Sequence, residues 1–310
     1  MPNKLIGCSL LLLLVHPFVF SQSSFDNQIT LYADNDAFWL NNDDGYYSSG
    51  IFIEQHHLKS ADTLRHSKTI RLWRFSHLMY TSSNIRQSRA SKIDRPYAGI
   101  LSIGYGLERI SKNRIKTLSL DLGWMGPSIR TGDLQYGYHS LFGMKLPRGW
   151  DYEVKDTPVI TAQGSVRWPR RLGNQMEIIN STSFMLGSIF NKLNHEVLIR
   201  LGDFLPIHQS SLFNTIVGTS HKLSGLNEFF MTTGMGVTTN FYDATIQGSI
   251  ISEENNPFSV TPTLFVFHHF YSLHFSWTRF NMEARFNFNT KENQEARPHR
   301  HIRIRLDYRY

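Results

Sequence analysis

The sequence predicts an all-β fold: a transmembrane antiparallel β-barrel of about twelve strands, with a short helix packed at the lumen or extracellular side. Three observations predict it. An apolar export signal opens the chain. Apolar and polar residues then alternate over many stretches of about ten residues, and no later apolar run is long enough for a membrane helix. The polar face of that alternation carries full charges, among them Glu283, Arg285 and Arg303.

The opening segment has Lys4, then Leu5-Ile6-Gly7-Cys8 and an apolar run to Phe20, followed by Ser21-Gln22-Ser23-Ser24. A short basic start, an apolar core and a small polar zone are the features of a secretory signal. We read 1–22 as a cleaved signal peptide and 23–310 as the barrel domain. Leu5-Ile6-Gly7-Cys8 mimics a lipoprotein box, but it precedes the apolar core instead of following it. Cleavage near residue 22 removes the one cysteine and leaves 31 basic against 25 acidic residues, a balance of +6. A cysteine-free chain suits an oxidising compartment, and one cysteine excludes an internal disulfide framework. Export makes nucleic acid an unsuitable partner for the positive charge. Anionic lipid or lipopolysaccharide suits it better. No obligate protein partner is expected.

The strands follow in order. In 280–289 every even residue is apolar and every odd one polar. In 301–310, Ile302, Ile304, Leu306, Tyr308 and Tyr310 take one face and His301, Arg303, Arg305, Asp307 and Arg309 the other. A period of two makes a strand with one dry and one wet face. Leu118, Leu120, Leu122 and Trp124 alternate likewise, as do Leu101, Ile103, Tyr105 and Leu107. Less regular alternation marks 26–39, 45–58, 67–81, 157–169, 175–188, 193–204, 227–247 and 261–274. A soluble sandwich would bury its apolar face in a core, whereas a barrel turns it to lipid. The aromatic C-terminus is similar to the ending of bacterial outer-membrane barrels, and lumen charges can stay hydrated. Both features favour the barrel.

One stretch breaks the pattern. From Ser128 to Lys145, Leu134, Tyr138 and Leu141 fall at helical spacing, and Ser128 or Thr131 can cap the start. Gln135 and His139 are four apart and share a face of that helix. Polar residues aligned on its inner side are the place to seek a site.

Common hydrolase signatures are missing: there is no Gly-x-Ser-x-Gly elbow, and His195-Glu196 lacks the second zincin histidine. Instead, polar groups interrupt glycine-punctuated strands in a fixed order. They are Asn35-Asp36-Ala37-Phe38, Tyr47-Ser48-Ser49-Gly50, Asp94-Arg95-Pro96-Tyr97-Ala98-Gly99 and Gly123-Trp124-Met125-Gly126-Pro127. Gln135 and His139 come next, and Gly149-Trp150-Asp151 closes the series. This ordered set resembles the outer-membrane lipid A 3'-O-deacylase family. The resemblance runs from about Asp34 to Pro158.

The resemblance implies a twelve-stranded barrel with an active site between the inner wall and a helix, near the outer leaflet. It implies a hydrolase of the 3'-linked acyloxyacyl ester of lipid A, dependent on calcium, in the outer membrane. His139 matches the base, with Asn35, Ser48 and Gln135 as further catalytic positions. Asp36, Ser48 and Gly50 match the metal-binding positions, and Arg95 a basic substrate-binding one. The residue types suit the chemistry. A neutral imidazole can take a proton from water near pH 7. Calcium prefers oxygen ligands such as a carboxylate. Ser48 and Gly50, two apart on a strand, would turn their carbonyls the same way. An arginine fork can hold a phosphate. Water is the expected nucleophile, with Ser48 as the competing one.

Other readings stay open at the level of residues. Asn35-Asp36 can be a strand-end turn, and Asp94-Arg95-Pro96 a solvated hairpin turn. Trp150 and Tyr97 can be girdle aromatics. Asp156-Thr157-Pro158 departs from the Asn-Glu-Pro that the resemblance leads one to expect. The rival functions are an outer-membrane phospholipase and a non-enzymatic barrel, either channel or binding protein.

Overall fold

A computed structural model describes residues 24–36, 38, 45–62, 64, 66–219, 227–252 and 256–310. The signal segment 1–22 lies outside the described residues. Twelve strands close into a barrel. They are β1 (Asn27–Asn35), β2 (Tyr46–Asp62), β3 (Ser67–Thr81), β4 (Ala98–Ser111), β5 (Arg114–Met125) and β6 (Thr157–Arg171). Then come β7 (Met176–Gly187), β8 (Phe190–Asp203), β9 (Glu228–Asp243), β10 (Phe265–Trp277), β11 (Phe280–Asn289) and β12 (His299–Arg309). Each strand pairs antiparallel with its chain neighbours, and β1 closes on β12. Closure leaves no unpaired sheet edge, which a bilayer does not tolerate. Two segments are shorter than the alternation suggested. The first strand ends at Asn35, and β9 ends at Asp243, which caps the short helix α2 (Ala244–Gln247) by accepting the Thr245 N–H at 3.0 Å.

The period of two appears directly as burial. Leu118, Leu120 and Leu122 are exposed, while Ser119 and Asp121 between them are buried. The same outward belt includes Ile51, Ile53, Trp73, Phe75, Leu101 and Ile103. So much apolar surface facing outward needs lipid around it. The end where β1 begins and β12 finishes has the tight turns 111–114, 171–176 and 277–280. The opposite end carries the long connections and helix α1 (Thr131–Leu141). By the rule of short periplasmic turns and long outer loops, α1 lies on the extracellular side.

The charges on the inward face are paired and largely buried. Arg303 holds Asp34 through two bonds of 2.7 and 2.8 Å. Arg74 meets Glu54 at 2.8 Å, and Arg305 meets Asp307 at 2.7 Å. At the periplasmic end residues 204–219 fold inward. Leu212 and Val217 pack with the inward-facing Ile70, Ile115, Ile179 and Phe230. Ser210 Oγ and the Ser211 N–H donate to Glu228 at 2.8 and 2.7 Å, and Arg200 donates to Ser210 Oγ at 2.7 Å. The inward face is therefore apolar where the plug sits, charged above it, and apolar again at the extracellular end, where Ile100, Met125, Val159 and Tyr242 pack together.

Candidate active site

Helix α1 inverts the usual amphipathic arrangement. Thr131, Gln135 and His139 form its buried stripe, while Leu134, Tyr138 and Leu141 are exposed. A helix that buries polar groups and shows apolar ones suits a protein wall on one side and lipid on the other. Its docking partner is the outer wall, which corrects the inner-wall placement that the resemblance implied. Gly99 lies on the same face of β4 as the exposed Leu101 and Ile103. A Cβ on Gly99 would stand 2.1 Å from Thr131 Oγ1, so only glycine admits the helix there. Thr131 Oγ1 also lies 3.1 Å from Nε2 of His77, on the outward face of β3 with Phe75.

The start of α1 is held by a turn. Asp156 accepts from the Ser128 N–H at 3.0 Å, Ser128 Oγ at 2.6 Å and the Trp124 indole at 3.2 Å. The motif that departed from the expected Asn-Glu-Pro thus anchors the entrance to the helix. Two further contacts orient the buried stripe. The Trp150 indole N–H donates to Gln135 Oε1 at 2.8 Å, which turns the amide NH2 of Gln135 the other way. His139 Nδ1 lies 2.5 Å from the Lys145 carbonyl. A carbonyl only accepts, so Nδ1 carries the hydrogen and Nε2 of the neutral ring is left as the proton acceptor.

The other predicted residues follow the ladder along the same wall. Asn35 stands opposite Ser49, Ser49 opposite Met79, and Met79 opposite Gly99. This row leads from Asn35 to the foot of α1 across three strand spacings, ~14 Å of wall. Met79 is buried although it faces outward. Asp36 follows the strand end. Its N–H donates to the Ser48 carbonyl at 3.4 Å, and its Oδ2 accepts the Gly45 N–H at 2.6 Å. Ser48 is buried in a bulge between Tyr47 and Ser49. The bulge removes the strict alternation from which parallel Ser48 and Gly50 carbonyls were expected. Gly50 makes room for Tyr47, whose hydroxyl donates to Asp34 at 2.9 Å.

Arg95 is fully buried. Its guanidinium pairs with Glu292, donates to Thr245 Oγ1 at 2.8 Å and lies over the Tyr80 ring. Asp94 accepts from Ser82 Oγ, the Ser83 N–H and Tyr46 Oη at 2.7 to 2.9 Å. Burial pushes its carboxyl up, but those bonds outweigh it and hold it below the usual range. Neither residue belongs to a solvated turn.

The model matching the chain over residues 5–310 is that of outer membrane protein LpxR. The chain belongs to that family, the lipid A deacylases of the outer membrane. Its fold is similar to that of LpxR from Salmonella typhimurium, with a TM-score of 0.74 at 16% identity, covering 91% of this chain and 100% of that one. The β domain of the Bordetella autotransporter BrkA matches less closely, with a TM-score of 0.48 at 10% identity over 93% of this chain and 99% of its own. No curated protein matches the chain in sequence.

Within this LpxR-family barrel, several contributors to the site escaped the sequence reading. Trp150 is neither girdle nor exposed. It packs edge-on to the buried Tyr97 at 5.2 Å and steers Gln135. Glu153 is buried beside Gly99, whose N–H it accepts at 3.1 Å. Burial, aided by Asp156, pushes its carboxyl up to about 8. An acid between Tyr152 and Val154 was the available signal. The Lys145 carbonyl that fixes His139 had none.

Proposed function

We propose that the chain hydrolyses the 3'-linked acyloxyacyl ester of lipid A, with His139 as the base and water as the nucleophile. The observation that carries this reading is the fixed His139 ring on a helix docked to the outer wall at the extracellular rim. A site there opens sideways to the outer leaflet, and its ester substrate need not enter the lumen.

The donors near Asp36 suit a hard cation. The Asp36 carboxylate, the Ser48 hydroxyl and the Gly50 carbonyl are all oxygen donors, the type such a cation prefers. Among the described residues no group of three His, Cys, Asp or Glu side chains gathers for a metal. Asp36, Ser48 and Gly50 would hold calcium, which when bound polarises the ester carbonyl and holds its developing negative charge.

His139 Nε2 takes a proton from water as the water oxygen bonds to the ester carbon. The Lys145 carbonyl steadies the imidazolium through Nδ1–H. The amide NH2 of Gln135 and the side chain of Asn35 supply donors to the reacting oxygens. His139 then returns the proton to the departing sugar oxygen. The products are a free acyloxyacyl acid and a glycolipid with a 3'-hydroxyl. Ser48 acting as nucleophile would leave an acyl group on its own Oγ, visible in the mass of the intact protein.

The test uses purified protein with lipid A in mixed micelles. His139→Ala is expected to lower turnover by at least ~100-fold, the usual contribution of a positioned base. A chelator is expected to abolish it, and added calcium to restore it. Release of fatty acid from phospholipid in place of lipid A would contradict the substrate assignment.

A further inference from the structure

The row of wall residues below α1 does not stop at Asn35. Asn35 stands opposite Ile302, Ile302 opposite Phe286, and Phe286 opposite Tyr271. One step toward the extracellular rim, Arg300 stands opposite Phe288, Phe288 opposite His269, and His269 opposite Met235. By strand alternation all these side chains face outward. A cavity of about 1050 Å3 lies along this sector. It begins at Asp36, Gly45 and Tyr46 and extends over the outer faces of β9, β10 and β11.

The lining has two parts. Phe267, Tyr271, Phe288 and Met235 make an apolar wall at leaflet height. Arg297 and Arg300, both exposed, stand at its extracellular edge. His269 lies flat on Phe288, with ring centroids 4.6 Å apart and planes within 3°. An outward arginine on a barrel is tolerated near the membrane interface and disfavoured at the midplane. There its planar fork can meet the phosphates of outer-leaflet lipid, and both arginines line the same cavity. Acyl chains of the same lipid would lie on the aromatic wall below.

We propose that this groove is a second subsite for the glycolipid substrate: Arg297 and Arg300 take a phosphate, and the wall of β9 to β11 takes acyl chains. The inference rests on the deacylase reading for the identity of the lipid. It adds a phosphate site to the one that the resemblance assigned to Arg95. The cavity shares Asp36 with the candidate active site, and Asn35 to Tyr271 is three strand spacings, ~14 Å of wall. One extended lipid can therefore touch both places.

The test is binding, so it does not depend on hydrolysis. His139→Ala protein in detergent micelles is titrated with bisphosphorylated lipid A, dephosphorylated lipid A and phosphatidylglycerol. Bisphosphorylated lipid A is expected to bind best. Adding Arg297→Gln and Arg300→Gln is expected to cut its advantage over the dephosphorylated form roughly tenfold. Arg297→Lys with Arg300→Lys, which keeps the charge but loses the fork, is expected to retain only part of that advantage. Heat-modifiable gel migration checks that each barrel is folded. An unchanged advantage in a folded glutamine pair would overturn the proposal, and so would equal competition by phosphatidylglycerol. If lipid A is hydrolysed but the glutamine pair keeps its preference, the groove fails and the deacylase reading stands. If phosphate preference follows the arginines but the wild-type chain hydrolyses no lipid A, the deacylase reading fails and the groove stands.

Discussion

One backbone atom sets which nitrogen of His139 can accept a proton. The ring Nδ1 is committed to the Lys145 carbonyl, so the other nitrogen is the one that can accept a proton. Glu153 offers a separate test at the same scale. Its carboxyl titrates at about 8, against 4.5 for the ordinary group. Above pH 4.5 the unfolded chain releases a proton that the folded one retains. Stability of this region therefore falls as pH rises, and levels once pH passes about 8. Glu153→Gln keeps an acceptor for Gly99 and removes the titration. Hydrogen exchange of residues 126–156, corrected for intrinsic rates, is expected to lose protection from pH 6 to 8 in the wild type but not in the variant. Parallel behaviour in both would contradict the assignment. In the sequence, His139 and Gln135 were legible because their spacing gives a shared helical face. The Trp150–Gln135 and His139–Lys145 contacts were not, because each depends on how a loop returns to the helix.

At the scale of elements, α1 is a lipid-facing cover on the barrel wall. Gly99→Val is expected to push Thr131 and the helix off β4. Activity should drop by more than ~10-fold with the barrel still folded, since a small misplacement of a catalytic group is costly. Lipid A turnover and heat-modifiable migration measure the two effects, and full activity would contradict the docking. The strands were largely readable, because a period of two survives wherever one face meets lipid. The side on which α1 docks was not. Its spacing marks a polar stripe and an apolar stripe, but a membrane reverses which one is buried. The plug was also hidden. Ile70 and Ile115 break the polar inner face for a segment more than 80 residues later in the chain, from Phe204 onward.

At the scale of the molecule, the barrel is a closed wall with the helix of the candidate site docked on its outside. Among the described residues the lumen is crossed by ion pairs and filled at its periplasmic end by 204–219. The purified protein is therefore expected to show no stepwise conductance in a planar bilayer. Replacing 206–217 by a short Gly-Ser link is expected to create conductance, if heat-modifiable migration shows the barrel intact. Open channels in the wild type would contradict a plugged lumen and favour a transport role.

The central claim is that His139, with a cation near Asp36, removes an acyl group from lipid A in the outer leaflet. Mass spectrometry of lipid A tests it most directly. Cells expressing the wild-type chain are compared with cells expressing His139→Ala and with chelator-treated membranes. The account predicts a mass loss equal to the 3'-acyloxyacyl group in the first sample and intact lipid A in the other two. Intact lipid A in all three, with the wild-type barrel folded in the membrane, would contradict it.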